Sequence, residues 1–579
     1  MLRSWPCAMA SEALTASEAT PYGRRRLTRL PLWAGLAALT ALVGLGLGSL
    51  GALLVQAPGI SPSSLWREPY LAGVLRFSLW QASLSTLASL ALAVPVAVAL
   101  ARRPHFVGRR LLLRAMELSL VIPSLIALFG LVAVHGRQGW ASPLWEALTG
   151  TPAGYLYGLS GIVLAHVFYN LPLAARLLLQ ELERAPAAHW RLAAQLGLKR
   201  RAIWRTLEWP ALKRLLPRLA ALIFTLCFTS FAIVMTLGGG PSSTTLEVAL
   251  YQALKFDNDL ALAALLALTQ LTICLGLWAL ALNRGGAPSL VAGDGAMPLK
   301  GRWQRRDALG VSRITDGLWL VGLALLLLPP LAAVVVAGLG GVTDLAGQSS
   351  LWPALGRSLV MAAGAGSLAL MLGLALLAGR GWLAARGRRL AAGLMEGSGQ
   401  LILVLPALVL GTGLFLLLRP RLGGGWQGYG LVVLVNGFMA LPFVMQVLRG
   451  ALLGLPLAQR RLADQLDIQG VARFRWLLWP RLRRPAALAL AYAMTLSMGD
   501  FSVIALFGSP SAPTLPMLLY QQLGSYRWQT AAATALVLLA TVAALFVLLS
   551  WLTRHLPRYP FLYPHRPHSR KPHADRPEP

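Results

Sequence analysis

The sequence APAAHWRLAAQLGLKRRAIWRTLEWPAL, residues 185–212, has a counterpart 270 positions later, LPLAQRRLADQLDIQGVARFRWLLWPRL, residues 455–482. The same offset relates positions outside these stretches: Pro172 with Pro442, and Phe231 with Phe501. A register that holds through both apolar and basic segments indicates a duplicated domain, because chance similarity drifts. Two fused and similar membrane halves usually place a substrate path between them, near their pseudo-two-fold axis. The repeat therefore makes this chain a candidate transporter.

The composition is that of a membrane protein. Of 579 residues, 56% are hydrophobic and 13% are charged, with a mean hydropathy of +0.62, whereas soluble proteins carry about 25% charged residues. A net charge of +31 could indicate nucleic-acid binding, but the basic residues concentrate in alternate loops, as the positive-inside rule expects. The three cysteines, Cys7, Cys227 and Cys274, form neither a disulfide nor a zinc framework. We therefore expect a lipid bilayer as partner, with no nucleic acid and no metal.

Long apolar runs predict the transmembrane helices. Each needs about 20 apolar residues to cross the hydrocarbon core. We predict twelve, at residues 31–55, 71–101, 116–134, 156–180, 212–237, 260–282, 317–339, 355–379, 395–418, 428–450, 485–507 and 530–553. The predicted fold class is an all-α polytopic membrane protein. Its predicted parts are an N-terminal tail (1–30), a first six-helix domain (31–282), a linker (283–316), a second six-helix domain (317–553) and a disordered tail (554–579).

Charged loops predict the orientation of the chain. Arginine and lysine cluster in one set of alternate loops, at Arg24–Arg26, Arg102–Arg103, Lys199–Arg201, Arg305–Arg306, Arg388–Arg389, Arg460–Arg461 and Arg483–Arg484. Such loops face the cytoplasm, so both termini are expected there. The polar and basic N-terminal stretch has no apolar run followed by a cleavage site and is expected to be a cytoplasmic tail, whether the start is Met1 or Met9.

The repeated loop predicts a short surface helix. In the first copy Pro186 suits the start of a helix and Gly197 suits the left-handed residue that ends it. The intervening segment is too polar to insert into the bilayer and too short to be stable alone. We therefore expect it to dock on a soluble partner. The alternative is a lid that covers the protein's own cytoplasmic face.

Both copies resemble the EAA motif of binding-protein-dependent ABC importer permeases, which runs Glu-Ala-Ala, three residues, Gly, nine residues, Ile-x-Leu-Pro. The positions that carry the resemblance are Ala193, Gly197 and Pro210 in the first copy and Ala463, Asp467 and Pro480 in the second. The chain departs from the motif at Arg191 and Arg461, where the family has Glu, and at Asp467, where it has Gly. The aspartate leads us to expect that the second helix ends differently from the first.

A wider resemblance covers nearly the whole chain. Residues 221–254 and 496–539, the latter containing GDF, ALFG, TLP, LYQQ and GSYR, are similar to the permeases of thiamine and thiamine pyrophosphate importers. The resemblance implies two tandem ABC importer permease domains in the bacterial inner membrane. It also implies a small-molecule substrate, two copies of a cytoplasmic ABC ATPase and a periplasmic thiamine-binding protein. The related fused ferric-iron permeases share the architecture, and ferric-iron import stays open as an alternative.

The sequence nominates no catalytic chemistry of its own. It contains no GxxxxGK[ST] phosphate-binding loop, so a separate subunit is expected to hydrolyse ATP, and the permease is expected to be no enzyme and to carry no cofactor. An ion-coupled secondary transporter is a further alternative, although the repeated surface helix would have no role in one.

Polar residues inside the predicted spans are candidates for the substrate path, because such residues are costly there. The candidates are His166, Asn170, Asn436 and Asp500. An acid in the path suits thiamine, which carries a permanent positive charge. The alternative is that these side chains tie helices together by hydrogen bonds. Two matching loops, 238–245 and 507–514, are candidate contacts for the periplasmic protein.

Overall fold

The computed structural model describes residues 29–56, 67–238, 240, 243–283, 311–345, 347–402, 405–418, 426–454, 457–468 and 470–555. The two predicted tails (1–30 and 554–579) and the predicted linker (283–316) lie outside these residues except at their edges. Of the loop at 238–245, residues 239, 241 and 242 also lie outside them.

Every regular element in the described residues is helical. The first half contains α1 (Leu30–Gln56), α2 (Pro69–Arg102), α3 (Arg109–Val121), α4 (Ser124–His135), α5 (Ser142–Thr149), α6 (Leu159–Glu183), α7 (Ala187–Gln195), α8 (Arg200–Ile203), α9 (Trp209–Phe228), α10 (Ala232–Leu237), α11 (Leu246–Lys255) and α12 (Leu260–Asn283). The second contains α13 (Val311–Gly340), α14 (Leu351–Ala385), α15 (Arg389–Leu401), α16 (Ala407–Leu418), α17 (Trp426–Leu453), α18 (Leu457–Gln465), α19 (Gly470–Arg473), α20 (Trp479–Gly499), α21 (Ser502–Phe507), α22 (Leu515–Gly524) and α23 (Trp528–His555).

The predicted all-α membrane fold is confirmed. Within the described residues, eight helices are long and apolar enough to cross a bilayer: α1, α2, α6, α12, α13, α14, α17 and α23. The other four predicted spans are each interrupted. The third breaks at Pro123, which offers no N–H, and Ile122 before it takes an extended conformation (ψ 130°), as a residue preceding proline prefers. At each of these four places the chain has two separate helices where we predicted one continuous helix.

The helix order of the first half recurs in the second, with α5 lacking a counterpart among the described residues. The repeat is also seen in individual hydrogen bonds, which occur at equivalent positions of the two halves. The hydroxyl of Ser78 in α2 accepts from the backbone N–H of Leu246 at 2.9 Å, and that of Ser358 in α14 accepts from Leu515 at 2.8 Å. In each half a buried serine thus holds the first N–H of the short helix before the last span, a group that no helix satisfies internally.

The first helix of each half packs on the other half. Helix α1 lies against α14 and α16, and α13 lies against α2 and α4. Glycines allow this close approach: a Cβ on Gly35 would come within 2.9 Å of the Gly379 Cα, and one on Gly130 within 2.4 Å of the Pro330 carbonyl oxygen. Small residues serve this purpose between membrane helices, where dispersion contacts replace the hydrophobic effect. The two halves are therefore interlocked.

Candidate coupling loops and substrate path

The two repeated loops have the same backbone. In the first, α7 ends at a left-handed Gly197 (φ +60°), after which the Leu198 N–H donates to the Ala193 carbonyl at 3.0 Å. In the second, Asp467 is also left-handed (φ +49°), and the Ile468 N–H donates to Ala463 at 2.9 Å. The expectation that Asp467 ends its helix differently is therefore wrong. Aspartate is among the few non-glycine residues that enter this region readily.

The exposed faces of the two surface helices also match. Leu192 and Leu196 in α7 are 54% and 65% exposed, and Leu462 and Leu466 in α18 are 54% and 62% exposed. Spacing of four residues puts each pair on one helix face. The alanines of the motif, Ala193 and Ala463, are turned inward, at 4% and 2% exposure. Each loop thus anchors itself through alanine and presents two leucines outward.

A π-turn joins each surface helix to the long helix that follows. It spans Trp204–Glu208 in the first half and Phe474–Leu478 in the second. Pro210 and Pro480 lie just after these turns, and proline cannot donate to the carbonyl four residues earlier and crowds it. Widening the helix to the π form accommodates that clash. The prolines therefore set a fixed, repeated geometry between surface loop and membrane helix.

Beside the first π-turn lies a buried ion cluster that the sequence analysis missed. Arg102 at the end of α2 lies 3.4 Å from both Glu208 and Asp316, and Arg103 lies 3.3 Å from Asp316. Arg102, Glu208 and Asp316 are all buried. Asp316 belongs to α13 of the second half, so the cluster joins the first surface loop to the opposite half. The three residues are far apart in sequence, and only the fold brings them together.

Three of the predicted path residues make contacts within their own half. His166 Nδ1 shares a hydrogen bond with the Ser85 hydroxyl at 3.0 Å, and Asn170 Nδ2 lies 3.3 Å from Cys227 Sγ. In the second half, Asn436 donates from Nδ2 to the Ser497 hydroxyl at 3.2 Å. These contacts join neighbouring helices, as interhelical hydrogen bonds in membranes do.

Asp500 lies at a different place, in the break between α20 and α21. Its carboxylate accepts from the backbone N–H groups of Ser502 at 3.1 Å and Val503 at 3.3 Å. It therefore caps the start of α21, where an anion is also favoured by the helix dipole. The side chain is partly exposed, and it directly precedes Phe501, which contacts the first half.

An aromatic row crosses the boundary between the halves. The rings of Phe231 and Phe501 stack with centroids 5.8 Å apart and planes 27° apart. Tyr251 lies 5.1 Å from Phe231, and Tyr520 lies 4.6 Å from Phe501. Phe231 and Phe501 are each 2% exposed. We call these four residues the aromatic row; the sequence repeat pairs its members but does not show that they touch.

A second buried acid near this row was also missed. Glu247 in α11 accepts from Gln270 Nε2 at 2.6 Å, and both side chains are buried. Glu247 lies four residues before Tyr251 on the same helix, and so one helical turn from the aromatic row. Lys255, at the end of α11, donates to the Leu506 carbonyl of the second half at 3.3 Å. Residues 246–255 lie between two predicted spans, and Glu247 was therefore not among the predicted path residues.

The repeated helix order, the interlocked halves and the two matched surface loops are those of a membrane permease built from two fused domains, and the family match specifies its class. The family described as "Binding-protein-dependent transport system inner membrane component" matches residues 93–285. The matched segment contains the first of the two surface loops. The second loop repeats its backbone, as the left-handed Gly197 and Asp467 show.

Relatives that match over nearly the whole chain identify the family more specifically. The chain is 44% identical to the thiamine transport system permease protein ThiP of Salmonella typhimurium over 530 residues, 91% of this chain and 97% of that protein. It is 45% identical to ThiP of Escherichia coli over the same shares, and 41% identical to ThiP of Brucella abortus strain 2308 over 92% of this chain and 97% of that protein. The chain therefore belongs to the thiamine transport system permease family, and the predicted family is confirmed.

Proposed function

We propose that this chain is the membrane subunit of an ATP-driven importer that carries thiamine or thiamine pyrophosphate into the cytoplasm. The observation that carries the proposal is the pair of surface helices with matched left-handed ends and matched exposed leucines. An ion-coupled transporter has no use for two such helices. The substrate is inferred from the full-length relatives, whose name states thiamine transport.

The loops that carry arginine clusters face the cytoplasm in this proposal, and both termini lie on that side. The two permease domains are residues 31–282 and 317–553, and the repeat of helix order supports these boundaries. The loops at 238–245 and 507–514 then face the periplasm, where they are positioned to contact a thiamine-binding protein.

Each surface helix docks in one subunit of a separate cytoplasmic ATPase pair. The exposed leucines supply the apolar contact: Leu192 and Leu196 for one subunit, Leu462 and Leu466 for the other. Two equivalent helices in one chain call for two ATPase copies. The residues of the motif hold each surface helix in place. Ala193 and Ala463 anchor the helices, and Gly197 and Asp467 end them. Pro210 and Pro480 fix the turns that follow.

Movement of the ATPase pair reaches the membrane through the long helices α9 and α20. Each begins directly after a π-turn and ends at the break before the aromatic row. A helix of 20 residues is about 30 Å long, and it transmits displacement because its backbone hydrogen bonds are internal. ATP-driven closure on the cytoplasmic side thereby shifts the two halves against each other. His166, Asn170 and Asn436 remain candidate path residues, with Asp500 the best placed of the four.

Uptake in proteoliposomes tests the proposal. The chain is reconstituted with its ATPase and periplasmic protein, and labelled thiamine, thiamine pyrophosphate and ferric iron are offered in parallel. We expect thiamine-type uptake that requires ATP and the ATPase. Iron uptake would retain the architecture and overturn the substrate, whereas uptake without ATP would overturn the coupling role of the surface helices.

A further inference from the structure

We propose that the aromatic row seals the substrate path and, once the halves separate, becomes the surface on which an aromatic cation stacks, with Asp500 as its counter-charge. This inference rests on the proposed function, since thiamine joins an aromatic pyrimidine to a cationic thiazolium ring. It adds the residues that close the path and the chemistry by which they recognise the substrate.

The sealing role follows from where the two phenylalanines lie. They are equivalent residues of the repeat, so their contact falls on the pseudo-two-fold axis where a path between the halves must pass. Each ring follows the break at the end of a long helix that starts in a coupling loop. Displacement of the two loops therefore acts on this ring contact from both sides. At 2% exposure the rings leave no room for solvent between them.

The recognition role follows from what separation would uncover. Each phenylalanine also contacts a tyrosine of its own half, Tyr251 or Tyr520, at a tilt of 57° or 39°. The ring face that each phenylalanine turns towards the other is therefore the one that separation uncovers. Aromatic faces bind other aromatic rings by offset stacking and bind cations through the ring quadrupole. A flat cationic ring passing between them replaces the contact that the two phenylalanines make with each other.

The negative charge available beside the aromatic row comes from the second half. Asp500 directly precedes Phe501 and is partly exposed, while the equivalent residue of the first half is the neutral Ser230. The neighbouring acid, Glu247, is buried and bonded to Gln270. The one cation of the adjacent helix α11, Lys255, is held at the Leu506 carbonyl. Asp500 is therefore the acid available to a single positive charge arriving beside the rings.

Rubidium efflux from vesicles without ATP tests the seal, and this readout does not depend on thiamine. The Phe231→Ala/Phe501→Ala variant is expected to leak about tenfold faster than the natural chain, because a hydrophobic constriction has been widened. Phe415→Ala is the matched control, since the Phe415 ring contacts Phe507 of the same half with centroids 5.5 Å apart; it should leak no more than the natural chain. Should the double variant fail to elute as a monodisperse protein, the two single variants are used, each expected to leak.

Two gentler substitutions test recognition. Phe501→Leu keeps an apolar plug without the aromatic face, and Asp500→Asn removes the charge while asparagine retains the helix cap. Each should lower the thiamine carried per ATP hydrolysed about tenfold at saturating binding protein, without rubidium leak. Unchanged thiamine transport in both would overturn the recognition role, and a tight double alanine variant would overturn the seal. Absence of thiamine transport by the natural chain would instead overturn the proposed function, and the rubidium result would still decide the seal.

Discussion

The two halves are alike in their surface helices and unlike in the charged residues near the boundary between them. Both surface helices end in a left-handed residue and expose two leucines, although one uses Gly197 and the other Asp467. The charges at the boundary differ: Glu208 of the buried ion cluster is matched by Leu478, and Ser230 is matched by Asp500. In the proposed function, the features that both halves share accept the movement of the ATPase. The features present in one half alone are then assigned to roles that occur once in the molecule: holding the halves together and binding one substrate.

The largest effect should come from breaking the one-sided ion cluster. Asp316→Asn leaves Arg102 and Arg103 with less negative charge in a buried site, and breaking a buried ion pair costs about 3 kcal/mol or more. We expect a clearly lower unfolding temperature in detergent. Asp464→Asn, which disrupts the partly exposed pair with Arg473 in the second half, should change stability by less than about 1 kcal/mol. Equal effects would show that the cluster has no special role in stability.

The next effect should be equal in the two halves. Leu192→Asp and Leu462→Asp each place a charge in the proposed ATPase-docking surface. Each should weaken ATPase binding about tenfold or more, because the free energy of burying one leucine is lost. A titration of purified ATPase measures this. Ala substitution of the exposed Leu111, outside the loops, is the control. A loss confined to one of the two variants would contradict the equivalence of the loops.

A smaller effect on ATPase binding and uptake should distinguish valine from aspartate at position 197. Gly197 has φ +60°, and no neighbouring atom lies within 4 Å of the position that a Cβ would take. Gly197→Val should therefore cause backbone strain but no steric clash. A left-handed residue costs about 1–2 kcal/mol, which should appear as weaker ATPase binding and slower uptake. Gly197→Asp should retain most of both, because the second loop carries aspartate in that conformation. Unchanged binding and uptake in Gly197→Val would contradict the role of the turn.

The smallest effect should be an increase in stability against unfolding. Asp467→Gly relieves the left-handed strain but increases the freedom of the unfolded chain, so a net stabilisation of roughly 0.5 kcal/mol is expected. Thermal unfolding in detergent measures it, with Gly197→Asp as the reciprocal change of opposite sign. Substantial destabilisation by Asp467→Gly would mean that the aspartate side chain itself holds the second loop.

The sequence predicted the spans and the short surface helices of the repeated loops because both depend on local patterns. Apolar runs locate the spans, and proline and glycine locate the turns. The breaks at Pro123 and Asp500 were not predicted, because long apolar runs conceal an interruption that is stabilised by tertiary contacts. The stacking of Phe231 on Phe501 and the ion cluster of Arg102 depend on how distant helices meet. Of the predicted path residues, Asp500 directly precedes Phe501, which contacts the other half.

The mass of the complex formed with the ATPase tests the central claim, that one chain carries two equivalent coupling loops. Light scattering on the detergent-purified complex should give two ATPase subunits per chain, and the Leu192→Asp/Leu462→Asp variant should elute without ATPase. A complex with one subunit per chain, or one that survives the double substitution, would contradict the account.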